Sequence, residues 1–423
     1  MSQVKPILLM VTSQDWGGAQ AYVFNLALEM KSQGLPVIIC AGSAPTRDDS
    51  LGQKCHSAGI DFIEIKHLAR NINPIDNFLA LIELIKLFRR VQPRAIQLNS
   101  SMMGAVGSLA GYLTKVPKIV YTAHGWVFNE QLPNWKKTLY IWIEKISARL
   151  KHVIICLHDQ DLELAKKHGI KPRQKITVIP NGIDAITFEK NLAGREEACK
   201  TLSEIAALVG LPRNDNVSFD VGRGVLPFAK GGRTLGFLLH ATCYMFCDER
   251  RGTLVGTVAN AYPPKNLLWY LEVCQAVHAK DPDIRFVIAG DGPQMEELKA
   301  KHRALEQEEY VLLTGRLDPA GIYQAFDIFV LPSSKEGMPI TILEAMAAKL
   351  PIIATDVGAC RLMLEPDAGL IVPPNDLSTL TQTILDLTDD ADKRQKLGQQ
   401  AYQKVTQNFT WQNTADQTIK ELL

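Results

Sequence analysis

The stretch at residues 333–348, SSKEGMPITILEAMAA, decides how this chain folds and what it can hold. Pro339 suits the first position of a helix, and Gly337 permits a close backbone approach just before it. The N–H groups around residues 338–341 should then point outward without intrahelical partners, and such a helix end attracts a diphosphate. The stretch therefore predicts an anion site at a helix start. The residues expected there are Gly337, Met338, Pro339, Ile340 and Thr341.

Two carboxylates, Glu336 and Glu344, flank that helix start. Since a diphosphate would repel them, we expect both to accept hydrogen bonds from hydroxyl groups on either side of it. The helix rises roughly 7 Å from Pro339 to Glu344, so one acid can meet a sugar and the other a ribose. The alternative is that Glu336 is a loop charge and Glu344 a solvated position on an apolar helix. The stretch IIATDVG at 352–358, a buried strand ending in a turn, favours the functional interpretation.

Apolar runs alternate with amphipathic runs along the chain. The runs that read as strands in the first half are ILLMV, VIICAG, FIEI, AIQL and those near Ile119 and Val153, with helices at 19–34, near Leu51 and at 77–91. After Asn181 the order restarts with LVGTVA, FVIAGDG, VLLTG, IFVLPS, PIIATDVG and GLIVPP. This order predicts two parallel sheets, each with helices on both faces, joined by a linker near 171–181. Ligands should bind in the cleft, at the carboxyl ends of the strands.

Glycine, histidine and lysine residues follow several of these strands. Gly17 and Gly18 follow the first strand, His124 follows KIVYTA, and Lys265 follows LVGTVA through a Pro-rich turn. The glycines let backbone amides approach a phosphate or an acceptor, and the lysine can neutralise a departing diphosphate. A simple tight turn at the glycines and a loop-capping histidine stay open as alternatives.

These motifs occur in the order typical of the family-4 retaining glycosyltransferases, which the chain resembles over most of its length. The segment from Glu336 to Glu344 matches that family's E-x7-E motif. Further matches are Gly17 and Gly18 in WGGAQ, His124 in TAHGW, IPNGID at 179–184, Lys265 in PPKN, AGDGP at 289–293, and Gly315 with Arg316. The resemblance implies the GT-B fold, an α/β architecture of two doubly wound, Rossmann-like domains that face each other across a cleft.

The same resemblance implies a division into an acceptor domain at 1–180 and a nucleotide-sugar-binding domain at 181–408. The segment at about 409–423, FTWQNTADQTIKELL, is similar to a helix that crosses back to the first domain. The stretch at about 193–252 is atypical, because the family passes here through a much shorter connector. A surface hairpin, an interfacial anchor and an insertion without fixed structure all stay open for it.

The atypical stretch contains two motifs that we reject as sites. DVGRGVLPFAKGGR resembles a phosphate loop with Arg223 and Lys230, but the two are seven residues apart rather than five, and the expected helix follows Lys265 instead. His240, Cys243 and Cys247 have no orthodox metal-ligand spacing. We therefore expect no metal ion and no cofactor besides the donor substrate.

As an enzyme of this type, the protein would move a hexose-type sugar from a nucleotide diphosphate-sugar, with a UDP-sugar favoured, to a hydroxyl acceptor. The resemblance makes Glu336, Lys265 and His124 the catalytic residues; a general-base role for His124 would instead invert the anomeric centre. The implied donor-binding residues are Gly17, Gly18, Asn260, Arg316, Gly337, Met338, Pro339, Ile340, Thr341 and Glu344. Asn260 stands where the family usually has an arginine, so the phosphate cradle would lose one positive charge. Arg316 would replace that charge in part or contact the nucleotide, and a simple exposed strand-end arginine stays open as the alternative.

Composition and charge limit the partners. With 46 basic and 45 acidic residues there is no general electrostatic footprint for nucleic acid. Eight cysteines without paired spacing and the absence of a leader before the first strand favour a reducing cytoplasm. The segment from Trp135 to His152 mixes basic and aromatic residues at helical spacing, which suits either a membrane surface or an ordinary amphipathic helix over the first sheet.

The resemblance implies bacterial surface-polysaccharide synthesis with a saccharide or lipid-linked saccharide acceptor. The expected location is the cytoplasm, with a peripheral contact at the inner face of the cytoplasmic membrane left open. Two other functions stay open as well. One is a nucleotide-sugar epimerase or phosphorylase on the same fold, and the other is a catalytically impaired binding protein, which Asn260 and the atypical stretch favour.

Overall fold

The structure, a computed structural model, describes residues 5–43, 50–68, 74–129, 132–209 and 252–423. Within these ranges the chain forms two parallel β-sheets, one of seven strands and one of six. The expected alternation of strands and helices and the α/β fold with two Rossmann-like domains are confirmed. The two motifs rejected at 220–247 lie outside the described residues.

The first sheet has its earliest strand near the centre. Its order is β3-β2-β1-β4-β5-β6-β7, and every pairing is parallel. The strands are β1 Ile7–Val11, β2 Val37–Gly42, β3 Asp61–Ile65, β4 Ala95–Leu98, β5 Lys118–Ala123, β6 Val153–Cys156 and β7 Lys175–Val178. The helices on its faces are α1 Gly18–Ser32, α2 Leu51–Ser57, α3 Pro74–Val91, α4 Ser101–Leu113, α5 Asn134–Ala148 and α6 Asp159–Lys167. Because helices cover both faces, the central strands are mostly apolar. Gln97 of β4 and Thr122 of β5 are buried polar exceptions, and the Gln97 amide donates to the Thr122 hydroxyl at 2.8 Å.

The second sheet repeats this plan with the order β10-β9-β8-β11-β12-β13. Its strands are β8 Leu254–Val258, β9 Arg285–Ala289, β10 Val311–Gly315, β11 Ile328–Leu331, β12 Ile352–Thr355 and β13 Leu370–Val372. The helices are α7 Ala185–Lys190, α8 Arg195–Val209, α9 Leu267–His278, α10 Met295–Ala304, α11 Ile340–Ala347, α12 Cys360–Leu364, α13 Leu377–Thr388, α14 Ala391–Asn408 and α15 Trp411–Leu422. Short 3-10 helices lie at Val127–Asn129, Pro263–Lys265, Pro319–Gly321 and Tyr323–Ala325.

Three expectations need correction. The range 171–181 is not only a linker, because it contains β7, a half-exposed edge strand whose short KITV sequence gave a weak signal. Pro339 is the N-cap of α11 rather than its first residue, since its ψ of 118° is extended and the helix begins at Ile340. The atypical stretch begins with a regular helix, α8, whose Ala198 and Leu202 are buried in the second domain's core.

The last helix of the described chain belongs to the first sheet. α14 packs against α11 in the second domain, whereas α15 packs against α1. Ala415, Ile419 and Leu422 are buried together with Tyr22 and Leu26 of α1. The chain therefore crosses back between the domains after Asn408. Over the ranges that the structure describes, no helix is both long enough and apolar enough to cross a membrane.

Strand order reverses once in each sheet, between β1 and β4 and between β8 and β11. In doubly wound sheets the loops that leave these neighbouring strands diverge and open a crevice at the carboxyl edge. Gly17 follows β1 and Asn99 follows β4, while Lys265 follows β8 and Glu336 follows β11. The topology therefore gathers the candidate residues of each domain at its own crevice.

Candidate active site

Lys265 and Glu336 form an ion pair at the crevice of the second domain. Nζ of Lys265 lies 2.6 Å from Oε1 of Glu336. Ser333 Oγ donates to the same carboxylate oxygen at 2.5 Å. The Glu336 side chain is 8% exposed and that of Lys265 is 24% exposed, so the pair is largely withdrawn from water. One carboxylate oxygen is thus committed to protein donors, and no described residue donates a hydrogen bond to the other.

The turn after β12 supports the Glu336 loop through close backbone packing and hydrogen bonds. Gly358 has φ +56°, and a Cβ built on it would lie 2.4 Å from the Glu336 carbonyl oxygen. The Ala359 amide donates to the Gly337 carbonyl at 2.8 Å, and Thr355 Oγ1 donates to the Ser333 carbonyl at 2.6 Å. The sequence TDVG therefore fixes the backbone that carries Glu336.

The N-terminus of α11 lies directly after this loop. The Ile342 amide bonds back to the Pro339 carbonyl at 3.2 Å, which leaves the amides of Ile340 and Thr341 without an intrahelical acceptor. The Thr341 hydroxyl is also buried without a hydrogen-bond partner among the described residues. Unpaired donors at the positive end of a helix form a site for an anion.

The first domain meets this helix end closely. A Cβ built on Gly337 would lie 3.3 Å from the His124 carbonyl oxygen, and one built on Gly18 would lie 3.6 Å from Cδ1 of Ile340. The absence of a side chain at Gly337 therefore eases the approach of the two domains, and Gly18 lies within ordinary contact distance of Ile340. Sequence reasoning expected these four residues near one ligand, and the structure brings them together.

One polar contact joins the two domains here, and a second fixes Met338 beside the segment that links them. Lys335 Nζ donates to the Trp126 carbonyl oxygen at 3.4 Å. The Asn181 amide donates to Sδ of Met338 at 3.0 Å. The Glu336 loop and the His124 loop thus face each other across the cleft.

His124 is a neutral histidine held by Asn99. Its Nε2 lies 3.2 Å from Oδ1 of Asn99, whose Nδ2 donates to the Met10 carbonyl at 3.3 Å. With the amide oriented this way, Nε2 carries the proton and Nδ1 does not. The ring also packs edge-on against Tyr22, with centroids 5.0 Å apart. Burial lowers the pKa of His124 to about 4, which makes it a weak proton acceptor near neutral pH.

Glu344 is not the solvated charge of the alternative interpretation. Burial raises the pKa of its carboxyl to about 7, the Tyr323 hydroxyl opposes that rise, and nearby Asp318 adds to it. The Tyr323 hydroxyl donates to Oε2 of Glu344 at 2.9 Å. The Tyr323 hydroxyl therefore orients the Glu344 carboxyl about one helical turn beyond the N-terminus of α11.

Three predicted donor residues lie apart from the ion pair. Gly17 is the N-cap of α1, where its carbonyl accepts from the Ala21 amide. Asn260 is exposed after β8, and its carbonyl accepts from the Tyr262 amide at 2.7 Å. Arg316 is exposed after β10, as expected for the alternative in which it is only a strand-end arginine. No hydrogen bond or ion pair between described residues joins Asn260 or Arg316 to Lys265 or Glu336.

Sequence reasoning missed three residues of this site. Asn99 had a signal, because it is a polar residue directly after the buried strand AIQL and beside β5. Ser333 had a weaker one, three residues before Glu336. Tyr323 had none, since a 3-10 helix distant in sequence delivers it to Glu344.

The described residues contain no evident metal-binding site. No group of three or more His, Cys, Asp or Glu side chains there is arranged to hold an ion. Asp-x-Asp occurs at 159–161, 281–283 and 390–392, where the aspartates serve local structure. Asp161 pairs with His158, Asp281 accepts from the Asp283 amide, and Asp390 caps α14. Transfer without a metal ion stays a prediction.

Two family models match the chain, one over most of the first domain and one over most of the second. The glycosyltransferase family 4 model covers residues 16–186, and the model of glycosyl transferases group 1 covers residues 252–390. The first match contains Gly17, Gly18 and His124, and the second contains Lys265, Glu336 and Glu344. Each of the two crevices therefore lies inside a recognised glycosyltransferase domain.

Known proteins align along most of the chain. An Escherichia coli UDP-Gal:alpha-D-GlcNAc-diphosphoundecaprenol alpha-1,3-galactosyltransferase is 31% identical over 76% of this chain and 73% of its own. A Staphylococcus aureus capsular polysaccharide biosynthesis glycosyltransferase, CapM, is 21% identical over 82% of each. Among solved structures, Anabaena HepE in complex with UDP superposes with a TM-score of 0.74 at 15% identity, covering 99% of both chains. The chain therefore belongs to the family-4 glycosyltransferases of GT-B fold, and it is a glycosyltransferase.

Proposed function

We propose that this glycosyltransferase moves a hexose-type sugar from a UDP-sugar to a hydroxyl of a lipid-linked saccharide during cell-surface polysaccharide synthesis, with retention at the anomeric carbon. The observation that carries the proposal is the Lys265–Glu336 pair beside the α11 N-terminus, opposite the His124 loop. This arrangement combines a cation, unpaired helix amides and a carboxylate with one available oxygen between the two domains.

The donor would lie with its diphosphate at the second domain. Lys265 and the amides of Ile340 and Thr341 would stabilise the negative charge that develops on the leaving diphosphate. Glu336, with one oxygen still available, would accept from sugar hydroxyls, and Glu344 would accept from those of the ribose. Because the site is withdrawn from water, each of these interactions is stronger than it would be in solution.

Retention would follow from proton transfer on the leaving-group face. The departing phosphate would take the proton of the acceptor hydroxyl as the new bond forms on the side that the diphosphate leaves. His124, with its pKa lowered to about 4, is poorly suited to act as a general base from the opposite face. It would instead orient the sugar through its ring and its carbonyl oxygen.

The relatives support the choice of substrates. The E. coli relative is named for a UDP-galactose donor and a diphosphoundecaprenol-linked acceptor, and the S. aureus relative is named for capsular polysaccharide biosynthesis. The HepE structure holds UDP. A UDP-sugar and a lipid-linked saccharide are therefore the first substrates to test, with the enzyme acting at the cytoplasmic face of the membrane where such acceptors are presented.

A donor screen tests the proposal. Nucleotide sugars would be supplied singly with bacterial lipid extract as acceptor, and free nucleoside diphosphate and the anomeric configuration of the product would be measured. We expect release of UDP that requires the acceptor, and a product that keeps the donor configuration. Rapid donor consumption without acceptor would point to an epimerase or a phosphorylase. Thermal stabilisation by a donor without turnover on any acceptor would point to a binding protein.

A further inference from the structure

Three neighbouring helices of the first domain expose large apolar side chains to solvent. α4 packs against both α3 and α5 on one face of the sheet. Of the 15 exposed large hydrophobic residues in the described ranges, ten lie on these three helices. They are Ile75, Phe78 and Leu79 on α3, Leu109, Tyr112 and Leu113 on α4, and Trp135, Leu139, Trp142 and Ile146 on α5. We refer to these ten residues as the three-helix face.

The spacing of these residues makes one outward stripe on each helix. On α5 the intervals are four, three and four residues, so the four side chains share one side of the helix. Tyr140 and Ile141 lie on the other side and pack on the core of the sheet. Trp135 and Trp142 are each 65% exposed, more than any other tryptophan in the described residues. α5 therefore has two apolar sides. One side packs on the sheet, and the other is exposed to solvent.

Positive charge surrounds the three-helix face. Residues 74–91, 101–118 and 132–152 contain ten Lys or Arg and three Asp or Glu, and the buried pair of Lys151 and Glu144 accounts for one of each. Nine basic and two acidic residues remain, whereas the whole chain has a net charge of +1. The Lys136 ammonium lies 5.4 Å from the ring centroid of Trp135. The Arg173 guanidinium lies 5.0 Å from that of Tyr112. Cations therefore stand directly beside the exposed aromatic rings.

We propose that the three-helix face docks on an anionic lipid bilayer, with the rings of Trp135, Trp142 and Tyr112 at the level of the headgroups. Aromatic rings with a polar edge favour that level, and lysine and arginine are attracted to anionic headgroups. A second copy of the chain is a poor occupant, because two such faces would bring like charges together. The inference rests on the proposed function, since it would hold the acceptor-binding domain at the surface that carries a lipid-linked acceptor.

Vesicle sedimentation of the full chain tests the docking surface. The probes are vesicles of phosphatidylcholine alone and vesicles containing about one third phosphatidylglycerol, at low and high salt. We expect binding to the anionic vesicles that weakens with salt. Trp135→Ser with Trp142→Ser should reduce that binding at least about tenfold through lost apolar burial. Lys136→Gln with Lys137→Gln should reduce it roughly 30-fold, as the loss of two surface cations near anionic lipid predicts.

A matched control removes exposed apolar residues elsewhere. Ile186→Ser with Leu362→Ser changes two exposed side chains of the second domain and should leave vesicle binding unchanged. Equal binding by the tryptophan variant and the parent protein would overturn the proposal. The proposal would also be overturned if the parent protein bound neither kind of vesicle. The same holds if the parent protein formed dimers and the tryptophan variant did not. Unchanged melting temperatures of the variants would show that differences in vesicle binding do not arise from unfolding.

The outcomes separate this inference from the proposed function. Vesicle binding needs neither donor nor acceptor, so a protein that docks without sugar transfer would refute the proposed function alone. A protein that transfers sugar but does not bind vesicles would refute the docking surface alone. On a water-soluble acceptor, the tryptophan variant should keep the parent rate.

Discussion

One oxygen atom organises the candidate site at the scale of single residues. Oε1 of Glu336 accepts from both Lys265 and Ser333, which commits the carboxylate to one rotamer. A pair this withdrawn from water gains little stability, because desolvation offsets much of the attraction between its charges. Its benefit lies instead in positioning, since the ammonium is already in place when a diphosphate arrives.

The first prediction concerns the charge of Lys265. Lys265→Ala should lower kcat by about two to three orders of magnitude, because one preorganised donor to the developing charge is lost. Lys299→Ala is the matched control, as Lys299 also pairs with a glutamate but on the surface of α10. Steady-state kinetics with the identified donor and acceptor checks both. A near-native rate for Lys265→Ala would remove that residue from the site.

The second prediction concerns Glu344 and pH. Its folded pKa of about 7 lies above the ordinary value of 4.5, so its stabilising contribution is present below about pH 4.5 and is lost as the pH rises through 7. Glu344→Gln, which stays neutral, should therefore be more stable than the parent at pH 8 by on the order of 2 kcal/mol, with the gap closing towards pH 5. Thermal unfolding at both pH values measures the difference.

The same variant should bind the donor less tightly, because a charge-assisted acceptor for ribose hydroxyls is lost. In the parent protein, donor affinity should rise as the pH increases through about 7 and the carboxyl ionises. Calorimetric titration with the donor would detect both effects. Unchanged affinity in a folded Glu344→Gln protein would show that the ribose assignment is wrong.

The third prediction concerns the hydrogen bond between Asn99 and His124. Asn99→Asp places a carboxylate beside the imidazole and should raise the pKa of His124 by about one to three units from its present value near 4. NMR titration would follow the ring, with His124→Gln used to assign its signal. The pH–rate profile should then gain an ionisation that the parent lacks. An unshifted pKa would mean that the two side chains are not in contact.

At the scale of elements, the turn after β12 supports the start of α11. The close packing of Gly358 beneath the Glu336 and Gly337 carbonyls leaves no space for a side chain. The anion site and the carboxylate therefore depend on a turn that contains neither of them. The sequence IIATDVG thus contributes to the site through its backbone.

The fourth prediction follows from this turn. Gly358→Ala should destabilise the fold by about 1–3 kcal/mol, because the new Cβ meets backbone and the positive φ is strained. It should also lower turnover by moving Glu336. Gly321→Ala is the matched control, since a Cβ there meets nothing within 4 Å. Urea unfolding and kcat of the two variants would be compared, and equal values would contradict the supporting role of the turn.

The sequence predicted elements better than it predicted their contacts. Buried parallel strands are continuous apolar runs, so twelve of the thirteen strands were evident, whereas the edge strand β7 is short and half exposed. The proximity of Lys265 and Glu336 could be predicted from the sequence, because each residue follows one of the two strands between which the strand order reverses. The hydrogen bond between Tyr323 and Glu344 could not be predicted, since it depends on how a 3-10 helix packs in three dimensions.

At the scale of the whole molecule, the two domains meet through small residues and backbone atoms. Gly337 eases the approach, Gly18 lies within contact distance of Ile340, and Lys335 adds a polar contact with the Trp126 carbonyl. Contacts of this kind are few and individually weak. Cleft opening and closing would therefore cost little, which suits an enzyme that must admit a donor and then exclude water.

The position of α15 has a consequence for how the protein is made. Residues 411–422 cover α1, β4 and β5, which a ribosome would have produced about 290 to 390 residues earlier, so the first sheet leaves the exit tunnel without its full cover. Nearly the entire second domain must be translated before α15 can cover that apolar surface. During this interval the nascent chain would be a natural client for a chaperone. A premature stop codon just ahead of Trp411 would accordingly damage the half of the protein that is synthesised first.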